Sequence, residues 1–193
     1  MSDTTTCGWP GDDPRMRAYH DTEWGVVVRD DRALFGKLVV DGFQAGLSWR
    51  SILYRRDHFL RVFEGFDPVR LAAWDEAHIQ AALQDEGIIR NRAKVRAAVS
   101  NARAFLALTA SGTSFADFLW GFVGGRPIDH ACTSLSQIPA ETPESVAMSK
   151  ALKKAGFRFC GPTICYAFMQ AVGMVNDHLV HCYRHGEVGA SGK

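Results

Sequence analysis

Hydrophobic residues recur every three or four positions through most of this chain, with polar and charged residues between them. The segment from Asp31 to Asp41 shows the pattern clearly, because Leu34, Phe35, Leu38 and Val39 fall on one side of a helix. Few segments alternate apolar and polar residues with a period of two. We therefore predict an all-α architecture.

The same pattern, read with capping residues and with Gly and Pro breaks, gives the bounds of further helices. A short helix is predicted after the cap Asp13, up to the turn at Trp24-Gly25, and Gly42 is expected to end the helix that begins at Asp31. The remaining predicted helices are about Ser48–Phe63, Asp67–Trp74, Asp75–Gln84, Asn91–Leu108 and Ser114–Val123. The apolar side of the first of these consists of Ile52, Leu53, Phe59, Leu60 and Phe63.

The stretch from Leu152 to Cys182 predicts two helices joined by a tight hairpin. The first helix ends at Lys154 or Ala155, Gly156 suits the left-handed conformation that closes a helix, and Pro162 suits the first position of the next one. The free N–H groups that open the second helix form an anion site, and a DNA phosphate is the obvious anion. The alternative is an ordinary corner between two helices with Phe157 and Phe159 in the core.

Composition indicates a globular protein with a sizeable core, since 47% of the 193 residues are hydrophobic. The 22 basic and 21 acidic residues leave a net charge of +1, so any contact with nucleic acid must come from local clusters. Such clusters also occur as solvated helix faces. The candidates are Arg50/Arg55/Arg56/Arg61, Arg90/Arg92/Lys94/Arg96 and Lys150/Lys153/Lys154/Arg158.

Five cysteines are too few for a disulfide scaffold, and the first residues lack the pattern of a signal peptide. No apolar run reaches the length of a membrane span. We expect a cytoplasmic protein that contacts no membrane.

Two Cys and two His near the ends of the chain form a candidate zinc set. Cys7 lies near His20, and His178 and Cys182 are expected one helical turn apart, so that they can point the same way. A histidine on a helix is more often a core or surface residue, so spacing alone leaves both interpretations open. His181 and His185 are expected to face elsewhere.

Several sequence blocks resemble the DNA-3-methyladenine glycosylase I family, in order and over nearly the whole chain. They are Cys7-Gly8-Trp9, Tyr19-His20-Asp21, Glu23-Trp24-Gly25, Gln44-Ala45-Gly46-Leu47-Ser48-Trp49, Gly87-Ile88-Ile89-Arg90, Ser149-Lys150-Ala151-Leu152-Lys153-Lys154, Gly161-Pro162-Thr163 and Val175-Asn176-Asp177-His178.

The resemblance implies a helix-hairpin-helix DNA glycosylase fold that forms a single unit over 1–193. The hairpin subdomain is expected within about 31–173, and two segments, about 1–25 and 174–185, are expected to be tied by one structural Zn²⁺ bound to Cys7, His20, His178 and Cys182. The implied activity is monofunctional hydrolysis of the N-glycosidic bond of 3-methyladenine in alkylated duplex DNA. The products are the free base and an abasic site, and the enzyme is expected to act as a monomer.

The resemblance also assigns site residues. Asp41, Tyr19 and Trp49 are expected to recognise the flipped base, and Gly46 and Leu47 to enter the gap left in the duplex. The hairpin residues expected to contact DNA are Gly156, Arg158, Gly161 and Thr163.

Two positions depart from the family's better-known members. Asp41 replaces a family glutamate and Met16 replaces a pocket tyrosine. The family also lacks the catalytic aspartate of the wider superfamily, at the position where this chain has Asn176, and we expect the neighbouring Asp177 to have a structural role, such as holding a ligand histidine.

Three other classes remain as alternatives. A DNA-binding module that is not an enzyme would have no reason to place Tyr19, Trp49 and Asp41 around one pocket. A metallohydrolase would need an open zinc position. A bifunctional glycosylase/lyase would need a nucleophilic lysine just after the hairpin, where the sequence has none.

Overall fold

The computed structural model describes residues 5–190, and no side-chain detail is given for 189 and 190. Within this part the chain is mostly helical. The expected single unit over 1–193, with its hairpin subdomain and its two zinc-tied segments, stays a prediction. Residues 1–4 and 191–193 of that unit lie outside the described residues. The α-helices are α1 Pro14–Thr22, α2 Asp31–Gln44, α3 Trp49–Leu53, α4 Arg56–Val62, α5 Pro68–Ala72, α6 Glu76–Ala82, α7 Arg92–Thr109, α8 Phe115–Trp120, α9 Pro143–Lys154, α10 Pro162–Ala171 and α11 Tyr183–Ala190.

Helix α2 lies at the centre of the fold and packs against α3, α7, α8 and α10. It begins at the cap Asp30, whose carboxylate accepts from the Ala33 N–H, and it carries the fully buried Leu34 and Phe35. The buried Lys94 ammonium group of α7 donates to the carbonyl oxygens of Phe43 and Ala45 at 2.8 and 2.6 Å. A positive charge at the carboxyl end of a helix is favourable, so Lys94 stabilises the end of α2.

The predicted end of α2 at Gly42 is wrong, because the helix continues to Gln44. Gly42 is buried beside the α9–α10 connection, and a Cβ atom at this position would lie 3.2 Å from the carbonyl oxygen of Phe159. The glycine is therefore explained by close packing between two segments and not by a break in the helix.

The predicted helix over about Ser48–Phe63 is in fact two helices, α3 and α4. Arg55 leaves helical geometry at the break, and its guanidinium group donates to the Ser51 carbonyl oxygen at 2.9 Å. Leu60 was expected on the apolar side, but 45% of it is exposed. The other predicted helices are present with bounds that shift by a few residues, and Gly121–Val123 is a 3₁₀ turn after α8.

The chain between α10 and α11 is not helical, which corrects the prediction that His178 and Cys182 stand one helical turn apart. After Ala171 the chain passes through Gly173, where φ is +74° and a Cβ atom would lie 2.6 Å from the Gly25 carbonyl oxygen. Val175–Asn176 (β2) then pairs in parallel with Ile128–Asp129 (β1). This two-residue pairing is a small departure from an all-α fold.

The predicted helix ends around the hairpin are confirmed. Helix α9 ends at Lys154, Gly156 has a φ of +97°, and α10 begins at Pro162 with Gly161 at its cap. Phe157 is buried in the core, whereas Phe159, which the alternative interpretation also placed in the core, is 36% exposed.

Candidate functional site

Cys7, His20, His178 and Cys182 meet in one buried cluster. Their ligand atoms all lie within 4.8 Å of one another. Cys7 Sγ lies 3.5 Å from His178 Nδ1, and Cys182 Sγ lies 3.6 Å from His20 Nε2 and 3.7 Å from His178 Nδ1. A tetrahedral metal ion with ordinary M–S and M–N bonds would separate a sulfur and a nitrogen ligand by about 3.6 Å. The four side chains thus fit a closed four-coordinate metal site.

Hydrogen bonds outside the cluster fix both imidazole rings. His20 donates from Nδ1 to the Asp21 carboxylate at 2.7 Å, and His178 donates from Nε2 to the Trp24 carbonyl oxygen at 3.0 Å. The unprotonated nitrogen of each ring then faces the cluster, as a metal ligand requires. Asp177 was expected to have a structural role such as holding a ligand histidine, but Asp21 and the Trp24 carbonyl oxygen hold the two rings.

The cluster is held in an environment that disfavours charge in the protein alone. Burial raises the pKa of the Cys7 thiol to about 12 and lowers the pKa of His178 to about 4. The Leu179 N–H donates to Cys7 Sγ at 3.3 Å, which stabilises a thiolate at this sulfur. A bound cation supplies the charge that keeps a coordinating thiol deprotonated.

Asp177 is fully buried in another network. Its carboxylate accepts from Tyr166 Oη at 2.5 Å and from Gln170 Nε2 at 2.8 Å, and it lies 2.6 Å from His130 Nδ1. The neighbouring Asn176 accepts from the His178 N–H and donates to the His185 carbonyl oxygen. Both side chains are therefore structural, and the Asp177 carboxylate is already satisfied.

A cavity of about 330 Å³ lies between α2, α10 and the chain that surrounds the Cys/His cluster. This volume is within the range of roughly 300–1,000 Å³ that is usual for small-molecule pockets. Its lining residues are Trp9, Tyr19, Trp24, Lys37, Asp41, Gln44, Trp49, Leu135, Ile138, Ala167 and Gln170. The three predicted base-recognition residues, Asp41, Tyr19 and Trp49, thus share one cavity, while Met16 is not among its lining residues.

Asp41 is the buried carboxylate of this cavity, with only 1% of its surface exposed. Its Oδ1 pairs with the ammonium group of Lys37, one turn earlier on α2, whereas its buried Oδ2 has no hydrogen-bond partner among the described residues. Burial raises the pKa of Asp41 despite the opposing effect of Lys37, and burial lowers the pKa of Lys37. An unpaired carboxylate oxygen inside a cavity is a ready acceptor for a ligand N–H group.

Two aromatic rings form one wall of the cavity. The Tyr19 and Trp49 rings are in contact, with centroids 5.0 Å apart and planes tilted by 42°. The Lys37 ammonium group lies 4.2 Å from the centroid of the Trp49 ring. Lys37 was not predicted as a site residue, although its spacing of four residues from Asp41 on a predicted helix places the two side chains on one face.

The α9–α10 connection is held rigidly on the core. The buried Asn101 of α7 accepts from the Arg158 N–H at 2.8 Å and donates to the Arg158 carbonyl oxygen at 3.1 Å. Arg158, Gly156 and Thr163 are all exposed at this connection. Gly161 stands at the cap of α10, and none of the described side chains caps this helix, which leaves its first N–H groups for an outside acceptor.

The loop between α2 and α3 lies beside this connection. Leu47 is 41% exposed at its tip, next to the exposed Gly46. Gly42, close to the end of α2, lies against Phe159 of the connection, so the loop that follows α2 lies near this connection. The predicted DNA-contacting residues of both loops thus belong to neighbouring exposed segments.

The three basic clusters differ in their surroundings. In the first two, Arg50, Arg56, Arg61, Arg92 and Arg96 pair with carboxylates, and Lys94 is buried as described above. The cluster beside the α9–α10 connection is exposed and consists of Lys150, Lys153, Lys154 and Arg158. A membrane-crossing helix is not found in the described part of the chain, since none of its helices is both long and apolar enough.

The chain belongs to the methyladenine glycosylase family, whose profile matches residues 9–185, and it is therefore an enzyme of the glycosylase class. It is 50% identical over 176 residues to DNA-3-methyladenine glycosylase 1 of Escherichia coli (strain K12). The aligned region covers 91% of this chain and 94% of the relative.

Solved structures agree with this membership. A crystal structure of 3-methyladenine DNA glycosylase I has a TM-score of 0.91 and 51% identity, covering 93% of this chain and 98% of that one. A structure that describes 3-methyladenine recognition by 3-methyladenine DNA glycosylase I from Staphylococcus aureus has a TM-score of 0.90 and 32% identity, covering 93% of this chain and 96% of that one. The family resemblance predicted from the sequence is confirmed.

Proposed function

We propose that this protein excises 3-methyladenine from alkylated duplex DNA by hydrolysing its N-glycosidic bond, that it acts as a monomer, and that it leaves an abasic site. The curated and structural relatives are named for this substrate. The observation that carries the proposal is the cavity in which a buried carboxylate oxygen, Asp41 Oδ2, lies beside the Tyr19 and Trp49 rings and has no partner in the described part of the chain.

The cavity chemistry suits a cationic purine. Methylation at N3 places a positive charge on the adenine, which an ionised carboxylate attracts in a site with little water. Asp41 Oδ2 accepts a hydrogen bond from the exocyclic amine, and the base packs against the aromatic wall. Cation–π attraction to such rings contributes roughly 0.5–2 kcal/mol per contact, which adds discrimination against neutral adenine.

Hydrolysis of this bond requires little from the protein, because the departing base leaves as a neutral molecule. The main tasks are to extrude the nucleotide, to select the damaged base and to hold it while water attacks C1′. Extrusion costs a few kcal/mol and is least costly at a damaged pair. The structural roles of Asn176 and Asp177 agree with an enzyme that does not use the carboxylate of the wider superfamily.

The DNA surface is proposed to consist of the two neighbouring loops. The N–H groups after Gly161, with Thr163, bind a backbone phosphate, and Arg158 supplies a positive charge beside it. Gly156 lets the backbone approach the duplex closely, as does Gly46 in the other loop. Leu47 then fills the space that the extruded base leaves.

The metal ion is proposed to be a single structural Zn²⁺. Two thiolates and two imidazoles make a closed set that suits zinc, with no ligand position left for water or substrate. The ion joins the segment before α1 to the segment after β2 and thereby holds Trp9, Tyr19 and Trp24 at the cavity. A metallohydrolase would need an open position, and the four ligands here argue against that class.

The experiment that tests the proposal is incubation with methylated duplex DNA, followed by chromatography of the released bases. We expect release of free 3-methyladenine and retention of intact abasic strands. A matched reaction with unmethylated DNA should release no base. A protein that binds the DNA and releases no base would instead support the DNA-binding class.

A further inference from the structure

Lys37 places a positive charge in the cavity that is proposed to bind a cationic base. Its ammonium group pairs with Asp41 Oδ1 and lies 4.2 Å over the Trp49 ring. These are the anionic partner and the aromatic face that a positively charged base requires. The protein thus carries an internal cation where the ligand's positive charge would be placed.

Two cations beside one buried carboxylate repel each other strongly where water is scarce. A methylated adenine that enters the cavity therefore competes with Lys37 for Asp41. The lysine side chain can move, since its four-carbon stem is flexible and 21% of the side chain is exposed.

A second cavity gives the displaced ammonium group a place to go. This cavity, of about 380 Å³, shares Tyr19, Lys37 and Trp49 with the first one, and its lining also includes the carboxylates of Glu23 and Asp30. Glu23 attracts the Lys37 ammonium group, although it also pairs with Arg56. Asp30 caps α2, and Arg32 and Arg56 also line this cavity. Lys37 can thus leave Asp41 without losing all negative charge around it.

We propose that Lys37 is a positioning residue whose ion pair with Asp41 breaks when the cationic base binds and forms again after cleavage. The renewed pair between Lys37 and Asp41 then displaces the product. This inference rests on the proposed function. When the C1′–N9 bond breaks, its electron pair stays on the purine, which becomes neutral. The sugar carbon takes up the oxygen of water, and the remaining proton goes to solvent. A neutral base then competes poorly with an ammonium ion for the carboxylate.

Removal of the ammonium group should therefore tighten binding of the free product. We expect Lys37→Met to bind free 3-methyladenine about ten- to a hundred-fold more tightly than the wild type, which is the range for loss of a competing charged hydrogen bond. Steady-state turnover should become slower relative to single-turnover excision, because the product leaves slowly. Lys37→Arg, which retains the positive charge, should bind the product like the wild type.

The test measures the affinity for free 3-methyladenine by titration and compares single-turnover with steady-state excision. Lys37→Gln is a second variant, which keeps a neutral donor for Asp41 in case the methionine variant folds poorly. Arg70→Met, at an exposed position of α5 outside the three basic clusters, is the control for the loss of one positive charge. Circular dichroism and zinc content show whether each variant is folded.

The outcome decides between two roles. Tighter product binding in the uncharged variants, with a larger gap between single-turnover and steady-state rates, supports the proposal. Unchanged or weaker product binding in both folded variants overturns it, because Lys37 would then be a structural or base-binding group. Failure of the wild type to release 3-methyladenine at all would overturn the proposed function and is a separate result.

Discussion

Replacement of Asp41 by asparagine is the most direct test of how the cavity selects its base. The amide is almost the same shape as the carboxylate but carries no charge. If its oxygen keeps the bond to Lys37, its NH₂ group takes the place of the unpaired Oδ2 and presents a donor to the exocyclic amine of the base. The variant thus loses both the attraction for a cation and the acceptor.

The size of the effect follows from these two losses. A hydrogen bond to a charged group contributes about 1.5–3 kcal/mol, which corresponds to roughly ten- to a hundred-fold in excision rate. The variant also leaves the Lys37 ammonium group without its carboxylate. Breaking a fully buried pair costs about 3–5 kcal/mol, and because 21% of the Lys37 side chain is exposed we expect a smaller loss of stability, about 1–2 kcal/mol. For a chain of this size that loss lowers the melting temperature by about 2–8 °C.

The assay is single-turnover release of 3-methyladenine from methylated duplex DNA at a temperature where the variant is folded. Asp117→Asn, which changes an exposed carboxylate on α8, is the control and should behave like the wild type. The double variant Lys37→Met/Asp41→Asn removes the unpaired ammonium group, so it should recover melting temperature without recovering excision. Excision by Asp41→Asn within twofold of the wild type would refute the reasoning and leave recognition to the aromatic wall.

Four further outcomes are expected. Cys182→Ser should lose zinc and melt at a lower temperature, since metal binding contributes to folding. At low temperature it should keep its excision rate per folded molecule. Full zinc content with wild-type melting would contradict the metal assignment. The reaction should leave an intact abasic strand, because the segment just after the hairpin has no nucleophilic lysine, and a covalent complex trapped by borohydride would show the opposite. Burial raises the pKa of Asp41, so excision should fall as the pH decreases through a range above that of an ordinary aspartate, and a pH profile of Asp41→Asn with the same acid limb would exclude this carboxylate as the titrating group. Arg158→Ala should weaken binding to undamaged DNA and reduce the dependence of log K on log salt by about one, as measured by fluorescence anisotropy, and an unchanged slope would remove Arg158 from the phosphate contacts.

Local signals in the sequence predicted the helix ends that depend on nearby residues. Asp13 before Pro14 caps α1, and Gly156 and Pro162 bound the connection between α9 and α10, because each of these interactions involves residues close in the chain. Such signals require no knowledge of the rest of the fold. The helix bounds around them were therefore correct to within a residue or two.

Errors occurred where a distant segment determines the local conformation. Gly42 lies inside α2, where the lack of a side chain leaves room for Phe159. Gly173 lies at a turn, where the lack of a side chain leaves room for the backbone near Gly25. Neither contact can be read from local pattern. Spacing and the family resemblance both proposed the four Cys and His residues that meet in the cluster, and the resemblance proposed the cavity residues. Lys37 was missed because the resemblance assigned no role to it.

The meeting of the segments around Cys7 and Cys182 in one cluster ties activity to the order of synthesis. Trp9 and Tyr19 leave the ribosome well before Gln170, which lines the same cavity, and well before Cys182, which lies in the same cluster as Cys7. Contacts between residues so distant in the chain are slow to form. A chain in which synthesis has not yet reached Cys182 therefore has no closed base cavity, and we expect it to leave DNA bases untouched until that segment has been released.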